Sequence, residues 1–334
     1  MEATTTVKQN REWGDLEQPD WSGDSLLSKV INTLIGIKPL YSLMKAGARR
    51  MMISTAEKNG VPWRRHFKEL ETSDVYKELE LIEDKSILYP DYYLQPFHAY
   101  DRGNLCWQAA FEVDSASASM VLRGVPQASS VDEANAYLRG NWLERIREHH
   151  EMHSGGLPVK RIVDVGCATG ISTRFLANKF GSAEEVLGLD LSPYFLSVAQ
   201  FRDRQAREAG QPVRPIQWMH KLGENTGLPD DSVDIVSLAF VLHECPNSAA
   251  RDLIQEAKRI LRPGGTIAII DNSPRSKIIQ SLPAPVYTLM KSTEPWSDEF
   301  YGRNLARMLS EAGFKNVEEV LTDARHSTMT GTAC

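Results

Sequence analysis

The chain has 334 residues, 42% hydrophobic and 25% charged, enough apolar material for one large or two modest cores; two units is the expectation. Its formal charge of −6, with Lys and Arg scattered, excludes the basic field that holds phosphate backbones, so no nucleic acid partner is expected. Cys106, Cys167, Cys245 and Cys334 are far apart and form no CxxC pair, which argues against a zinc site or a disulfide framework; a reducing compartment and no metal are expected.

Residues 1–22 are polar and read as a disordered or loosely docked arm. They lack the apolar stretch of a secretory signal, and no run reaches membrane-spanning length. The expected location is the cytoplasm, or an organelle such as a plastid after removal of a transit peptide. From Leu26 to about Lys58, the residues Leu27, Val30, Leu34, Ile37, Leu40 and Leu43 recur at helical steps, interrupted near Pro39. The basic, Met-rich continuation KAGARRMMISTAEK (45–58) admits a membrane-surface helix, with packing on the second unit the preferred reading.

Between Pro62 and Arg123, helical patterns flank an aromatic segment, YPDYYLQPFHAYDRGNLCW (89–107), read as compact and ordered. Ser130 with Asp132 and Glu133 starts a helix that runs through Trp142 and Ile146 to about His153. Beyond SGGLPVK the rhythm changes, giving a helical region at 23–154 and a second unit at 155–334. There RIVDVG, EVLGLDL, PIQWM, SVDIVSLAF and GTIAIID read as strands, and 170–180, 193–208 and 247–261 as helices. Such alternation implies a mostly parallel sheet covered on both faces.

The strongest chemical signal is VDVGCATG (163–170), a strand-to-helix turn in which Gly166 and Gly170 remove side chains that would block a ligand. The spacing is GxxxG rather than GxGxxG, and Asp164 would repel a pyrophosphate but suits an ammonium group. Asp190 ends the next strand, in VLGLDLSP, where a carboxylate accepts both hydroxyls of a ribose. Any one of these alone reads equally as an ordinary glycine turn or an exposed Asp. In order and spacing they describe S-adenosylmethionine better than NAD.

Further segments are GENTGLPDDSVD, SLAFVLHE and LRPGGTIAIID. In the last, basic Lys258, Arg259 and Arg262 end a helix that Pro263 stops, and Gly264 and Gly265 turn the chain into a strand. Together with VDVGCATG and GLDLSP, these resemble the class I methyltransferase family, in particular its small-molecule branch related to quinone C-methyltransferases. The resemblance covers about 155–334 and implies a Rossmann-like seven-stranded α/β sheet with an antiparallel last strand, behind an N-terminal helical lid. FKNVEEVLTDARHSTMTGTA supplies that final hairpin, turning at Asp323 and Ala324.

The resemblance also implies roles. Asp164 and the backbone at Gly166, Cys167, Ala168 and Gly170 hold the methionyl end of S-adenosyl-L-methionine; Asp190 and Leu191 hold ribose and adenine; Gly223 and Glu224 flank adenine. Ala168 stands where a middle glycine is common, which should only tighten the turn, and Leu222 replaces a common acid. His243, helped by Glu244, is a candidate general base or a wall of the pocket. His98, Tyr100 and Trp107 belong to the lid, with Trp107 reading equally as core. Glu294, Trp296 and Tyr301 line the acceptor pocket or begin a helix at 298–312, for which Ser297 and Asp298 make a good start. The implied activity is methylation of a small-molecule acceptor at an O, N, S or C atom. A non-methylating protein or a cyclase on the same fold is the alternative; an NAD-dependent oxidoreductase lacks its GxGxxG turn. Oligomeric state is left open.

Overall fold

Aliphatic runs of the second half form a sheet from β1 (Arg161–Val165), β2 (Glu185–Asp190), β3 (Gln217–His220), β4 (Val233–Ala239), β5 (Leu261–Asn272), β6 (Lys315–Leu321) and β7 (His326–Thr332). The strand order is β3-β2-β1-β4-β5-β7-β6. The first five strands are parallel and β7 runs antiparallel to both neighbours. The structure is a computed structural model that describes residues 13–334 apart from 24, 26, 27, 30, 31, 34–37 and 99. Before the sheet come α1 (Lys38–Lys58), α2 (Trp63–Glu71), α3 (Tyr76–Ile82), α4 (Trp107–Gly124) and α5 (Val131–His153). Between strands lie α6 (Ile171–Lys179), α7 (Pro193–Glu208) and α8 (Asn247–Ile260); after β5 follow α9 (Lys277–Gln280), α10 (Ala284–Thr293), α11 (Ser297–Tyr301) and α12 (Leu305–Glu311).

Strand side chains alternate between faces. Val163, Val165, Leu187 and Leu189 meet Leu253 and Ile254 of α8 on one side; Ile162, Val186, Ile235 and Ile270 meet α5 and α6 on the other. The Ser130 hydroxyl accepts from the Glu133 N–H at 3.1 Å and Glu133 accepts from the Ser129 N–H at 2.7 Å, capping α5 as its sequence predicts. Leu138, Trp142, Leu143 and Ile146 of that helix share a core with the strands. The sheet's core therefore begins at α5, upstream of the change of rhythm near 154.

Residues 1–12 of the arm lie outside the described residues, but from Trp13 onward it is docked, which corrects the expectation of a loose arm up to residue 22. Trp21 is 1% exposed, donates its indole N–H to the Ile279 carbonyl at 3.2 Å, and packs on Tyr287 and Tyr301. One large aromatic ring outweighs the polarity around it. The helical positions Leu27, Val30, Leu34 and Ile37 also lie outside the described residues. The described part of α1 begins at Lys38. Ile53 and Ala56 of α1 pack with Val61 and Trp63. No described helix is long and apolar enough to cross a membrane.

The helix expected at 298–312 is divided into α11 and α12. Between them, Arg303 turns inward to bond the carbonyls of Leu242 and Cys245 at 3.0 and 2.7 Å, and Asn304 caps α12 by accepting from the Arg307 N–H at 2.9 Å. Three satisfied guanidinium bonds, counting Asn247 at 2.8 Å, replace a turn of helix.

Under β7, buried His149 shares hydrogen bonds with Thr330 and Thr332, and burial, with His153 and His150 nearby, holds its pKa down to about 4. A histidine kept neutral by folding contributes full stability above its unfolded pKa of about 6.5 and loses it as pH falls toward the folded value. Between pH 6.5 and 4, His149 is expected to cost on the order of 2 kcal/mol. Urea unfolding of wild type and His149→Gln across that range checks this; equal pH slopes in the two proteins would refute it.

Candidate active site

Parallel strands deliver their C-terminal ends to one edge of the sheet, and the order reverses between β1 and β4, which opens a crevice there. The turn after β1 is tied to the end of β2. Gly166 and Cys167 donate to the Leu189 carbonyl at 2.7 and 3.0 Å, while the N–H groups of Ala168 and Ser192 each reach the Asp190 carboxylate at 2.7 Å. Asp190 thus fixes the turn and stands at the crevice; burial pushes its pKa up to about 6 despite those two bonds. Ala168 adopts a φ of 47°, left-handed backbone that explains why glycine is common there and shows that the residue does more than tighten the turn. The space freed at Gly170 and Gly166 is used by the protein itself. A Cβ on Gly170 would lie 2.2 Å from the Trp218 ring, and one on Gly166 would lie 2.6 Å from Val241.

Asp164 departs from expectation. It is fully buried on the α6 face, where it accepts from Ser172 at 2.6 Å, Thr173 at 2.7 Å and Ser237 at 2.8 Å. Strand alternation turns it inward, so it locks β1 to α6 and β4. Cys167 is likewise buried, its side chain against Gly188.

Residues 84–104 form a strap across the strand ends. The Asp84 N–H donates to His220 Nδ1 at 2.9 Å, which leaves Nε2 to donate to the Leu191 carbonyl at 3.0 Å. The Tyr92 hydroxyl donates to Glu224, and the Asn104 amide to Glu244 at 2.7 Å. Glu224 is raised by burial, and Gly223 passes so near Leu253 and Val165 that a Cβ would sit 2.6 Å from each. The strap lies within the region 23–154 read from the sequence as a helical lid, and its Tyr92, Tyr93 and Asn104 were not singled out there.

Beyond β4 the chain passes through Phe240, at a φ of 62°, into a 3-10 turn, Leu242–Glu244. His243 is buried, with Nδ1 2.9 Å from Asp271 at the end of β5. Burial opposes its charged form, but Asp271 outweighs burial and raises the pKa. Burial pushes Glu244 and Glu294 each up to about 7. His98 of the strap approaches both, 3.9 Å from Glu244 and 3.8 Å from Glu294. Tyr92, Phe97, Asn104, Glu244 and Trp296 line the narrow cleft between them.

Three candidates go elsewhere. Tyr100 donates to Glu112 at 2.6 Å beside Arg49, and Trp107 packs among Phe111, Tyr76 and Tyr194. Tyr301 is 1% exposed and serves the core, edge-on to Trp21 and Phe300. Asp271 was missed, although an acid ending the apolar run GTIAIID at the sheet's ligand-bearing edge was a readable signal.

Asp190, Glu224, Glu244, Asp271 and Glu294 surround the crevice, so a pyrophosphate would meet carboxylates where a sulfonium with an ammonium group meets attraction. Residues 163–269 match the family model described as a methyltransferase domain. The chain is 31% identical over 176 residues to the demethylmenaquinone methyltransferase of Tropheryma whipplei (strain Twist), covering 47% of this chain and 67% of that protein. The chain belongs to the S-adenosylmethionine-dependent methyltransferases. This methyltransferase is also 28% identical over 182 residues to the ubiquinone biosynthesis O-methyltransferase of Acinetobacter baylyi, with 53% of this chain and 70% of that one covered. A solved S-adenosylmethionine-dependent methyltransferase from Aquifex aeolicus superposes with a TM-score of 0.43 at 19% identity, over 60% of this chain and 93% of the other. The methyltransferase uses S-adenosylmethionine as its cofactor and a small molecule as its acceptor, within the Rossmann-like fold expected.

Proposed function

We propose that the methyltransferase acts on a planar acceptor of the quinol or phenol class, held between the aromatic rim of the cleft and the pair His243 and Glu244. One observation carries this reading. Glu244, held by Asn104, lines a cleft bordered by Tyr92, Phe97 and Trp296, and His243, backed by Asp271, lies 3.9 Å from the Glu244 carboxylate. The names of the quinone methyltransferases similar to this chain support the same class.

Bound S-adenosylmethionine supplies an electrophilic methyl group on a sulfonium. Asp190 and Leu191 would take its ribose and adenine, with Gly223 and Glu224 alongside. The turn from Gly166 through Cys167 and Ala168 to Gly170 would take the methionyl end. Glu244, raised to about 7, would draw the proton of the acceptor hydroxyl, and His243, whose charged form Asp271 favours, would steady the resulting anion, while the aromatic side chains fix the ring and exclude water. Most of the rate then comes from positioning, which suits an acceptor that is reactive once ionised. The five carboxylates leave no seat for a nucleic acid backbone, which supports a small-molecule partner alone.

Glu244→Gln and His243→Gln are each expected to lower kcat about 100-fold with the cofactor Kd within about threefold of wild type. Transfer of labelled methyl from S-adenosylmethionine to a reduced, short-tailed demethylmenaquinone measures it. No transfer to any quinol by protein that binds the cofactor would refute the acceptor class.

A further inference from the structure

Three contacts in the acceptor cluster share one property. His98 Nδ1 and His243 Nε2 each lie 3.9 Å from Glu244 Oε1, and His98 Nε2 lies 3.8 Å from Glu294 Oε1. These separations are too long for hydrogen bonds. They are close to what a shared cation requires: metal bonds of about 2.0–2.2 Å to imidazole nitrogen and carboxylate oxygen place neighbouring donors about 3–3.5 Å apart. One donor atom each from His98, His243 and Glu244 lies within 4.8 Å of the other two.

The outward sides of His243 and Glu244 are already committed. His243 Nδ1 bonds Asp271 at 2.9 Å, and Glu244 Oε2 accepts from Asn104 at 2.7 Å. His98 Nε2 faces Glu294, whose other oxygen is buried with no hydrogen-bond partner among the described residues. A carboxylate behind each histidine is the arrangement that orients metal-binding imidazoles. His98 also holds a φ of 47°, a costly backbone for a histidine, with its N–H fixed 2.9 Å from the Thr293 carbonyl.

We propose that His98 Nδ1, His243 Nε2 and Glu244 Oε1 bind a divalent transition-metal ion, with Asp271 and Glu294 as the outer carboxylates. Two imidazoles and one carboxylate suit Zn2+, Mn2+ or Fe2+ and leave coordination positions for oxygen ligands. The site joins the strap, through His98, to the sheet, through His243 and Glu244, so the ion also closes the lid. Its chemical use rests on the methyl-transfer reading. With the ion bound, His243 and Glu244 would act on the acceptor through it: the ion would hold the acceptor hydroxyl and ease loss of its proton to water, and the acceptor anion would take the methyl group as the C–S electron pair returns to sulfur.

Calorimetric titration of chelator-treated protein with ZnCl2 tests the site, with Co2+ absorption as a probe of the ligands. One equivalent bound at micromolar Kd or tighter is expected. His98→Gly suits the left-handed backbone and leaves the sheet intact; it should weaken binding at least about 100-fold, and Glu294→Gln about 10-fold. Cys334→Ser removes an exposed thiol and should change nothing. Absence of binding, or an affinity that His98→Gly leaves unchanged, overturns the site. S-adenosylmethionine is titrated into the same chelated sample. Cofactor bound without any cation uptake overturns the metal site and leaves methyl transfer standing, whereas cation uptake without cofactor binding upholds the site and removes the methyl-transfer reading.

Discussion

Replacing Asp190 by alanine is expected to weaken binding of S-adenosylmethionine and S-adenosylhomocysteine by about 10²–10³-fold. The carboxylate ends β2, holds the N–H groups of Ala168 and Ser192 at 2.7 Å, and keeps lone pairs for a hydroxyl donor. A ribose diol supplies such donors. Hydrogen bonds to a charged group contribute about 1.5–3 kcal/mol each, so losing two accounts for the expected range. The variant also frees the backbone of the Gly166–Gly170 turn, so the methionyl end loses its seat as well. Calorimetric titration of both nucleosides, with NAD as a control, measures the effect, and a thermal melt separates binding from folding. Unchanged affinity would place the ribose elsewhere.

Trp142→Ala is expected to cost about 3–5 kcal/mol of unfolding free energy, toward the lower end because its indole N–H has no partner to lose among the described residues. Trp142 is 1% exposed and packs with Ile146, Ile162, Ile235 and Ile270, bridging α5 to the sheet. Met152 on the same helix is 72% exposed, and Met152→Ala should shift stability by less than about 0.5 kcal/mol. Urea unfolding of the three proteins checks the contrast. A loss below about 1 kcal/mol at Trp142 would show that α5 is not part of the sheet's core.

The sheet was readable because strands covered on both faces must be apolar along their length, and RIVDVG, EVLGLDL and GTIAIID obey that demand without context. The cap at Ser130 and the closing hairpin were readable for the same local reason. Direction was harder. Asp164 sits two residues before the first glycine of the turn, yet strand alternation turns it toward α6 and away from the crevice. Arg303 divided a helix through bonds to Leu242 and Cys245, some sixty positions away, which no local pattern reports. Among the site residues, His98, His243, Glu244 and Glu294 were each legible as chemically able. Their meeting was not, because they come from the strap, the end of β4 and the segment after α10. A search for closely spaced cysteine and histidine pairs looks along the chain and misses donors assembled across it.

The strap makes turnover a matter of traffic. Its Tyr92 is bonded to Glu224, beside the seat proposed for the nucleoside. Whatever occupies the inner seat must therefore arrive before the outer one is filled and depart after it is vacated. On the proposed reading, displacement at the methyl carbon would be enclosed between two openings of residues 84–104, and every bond that steadies the strap during the reaction would also have to be broken to end it.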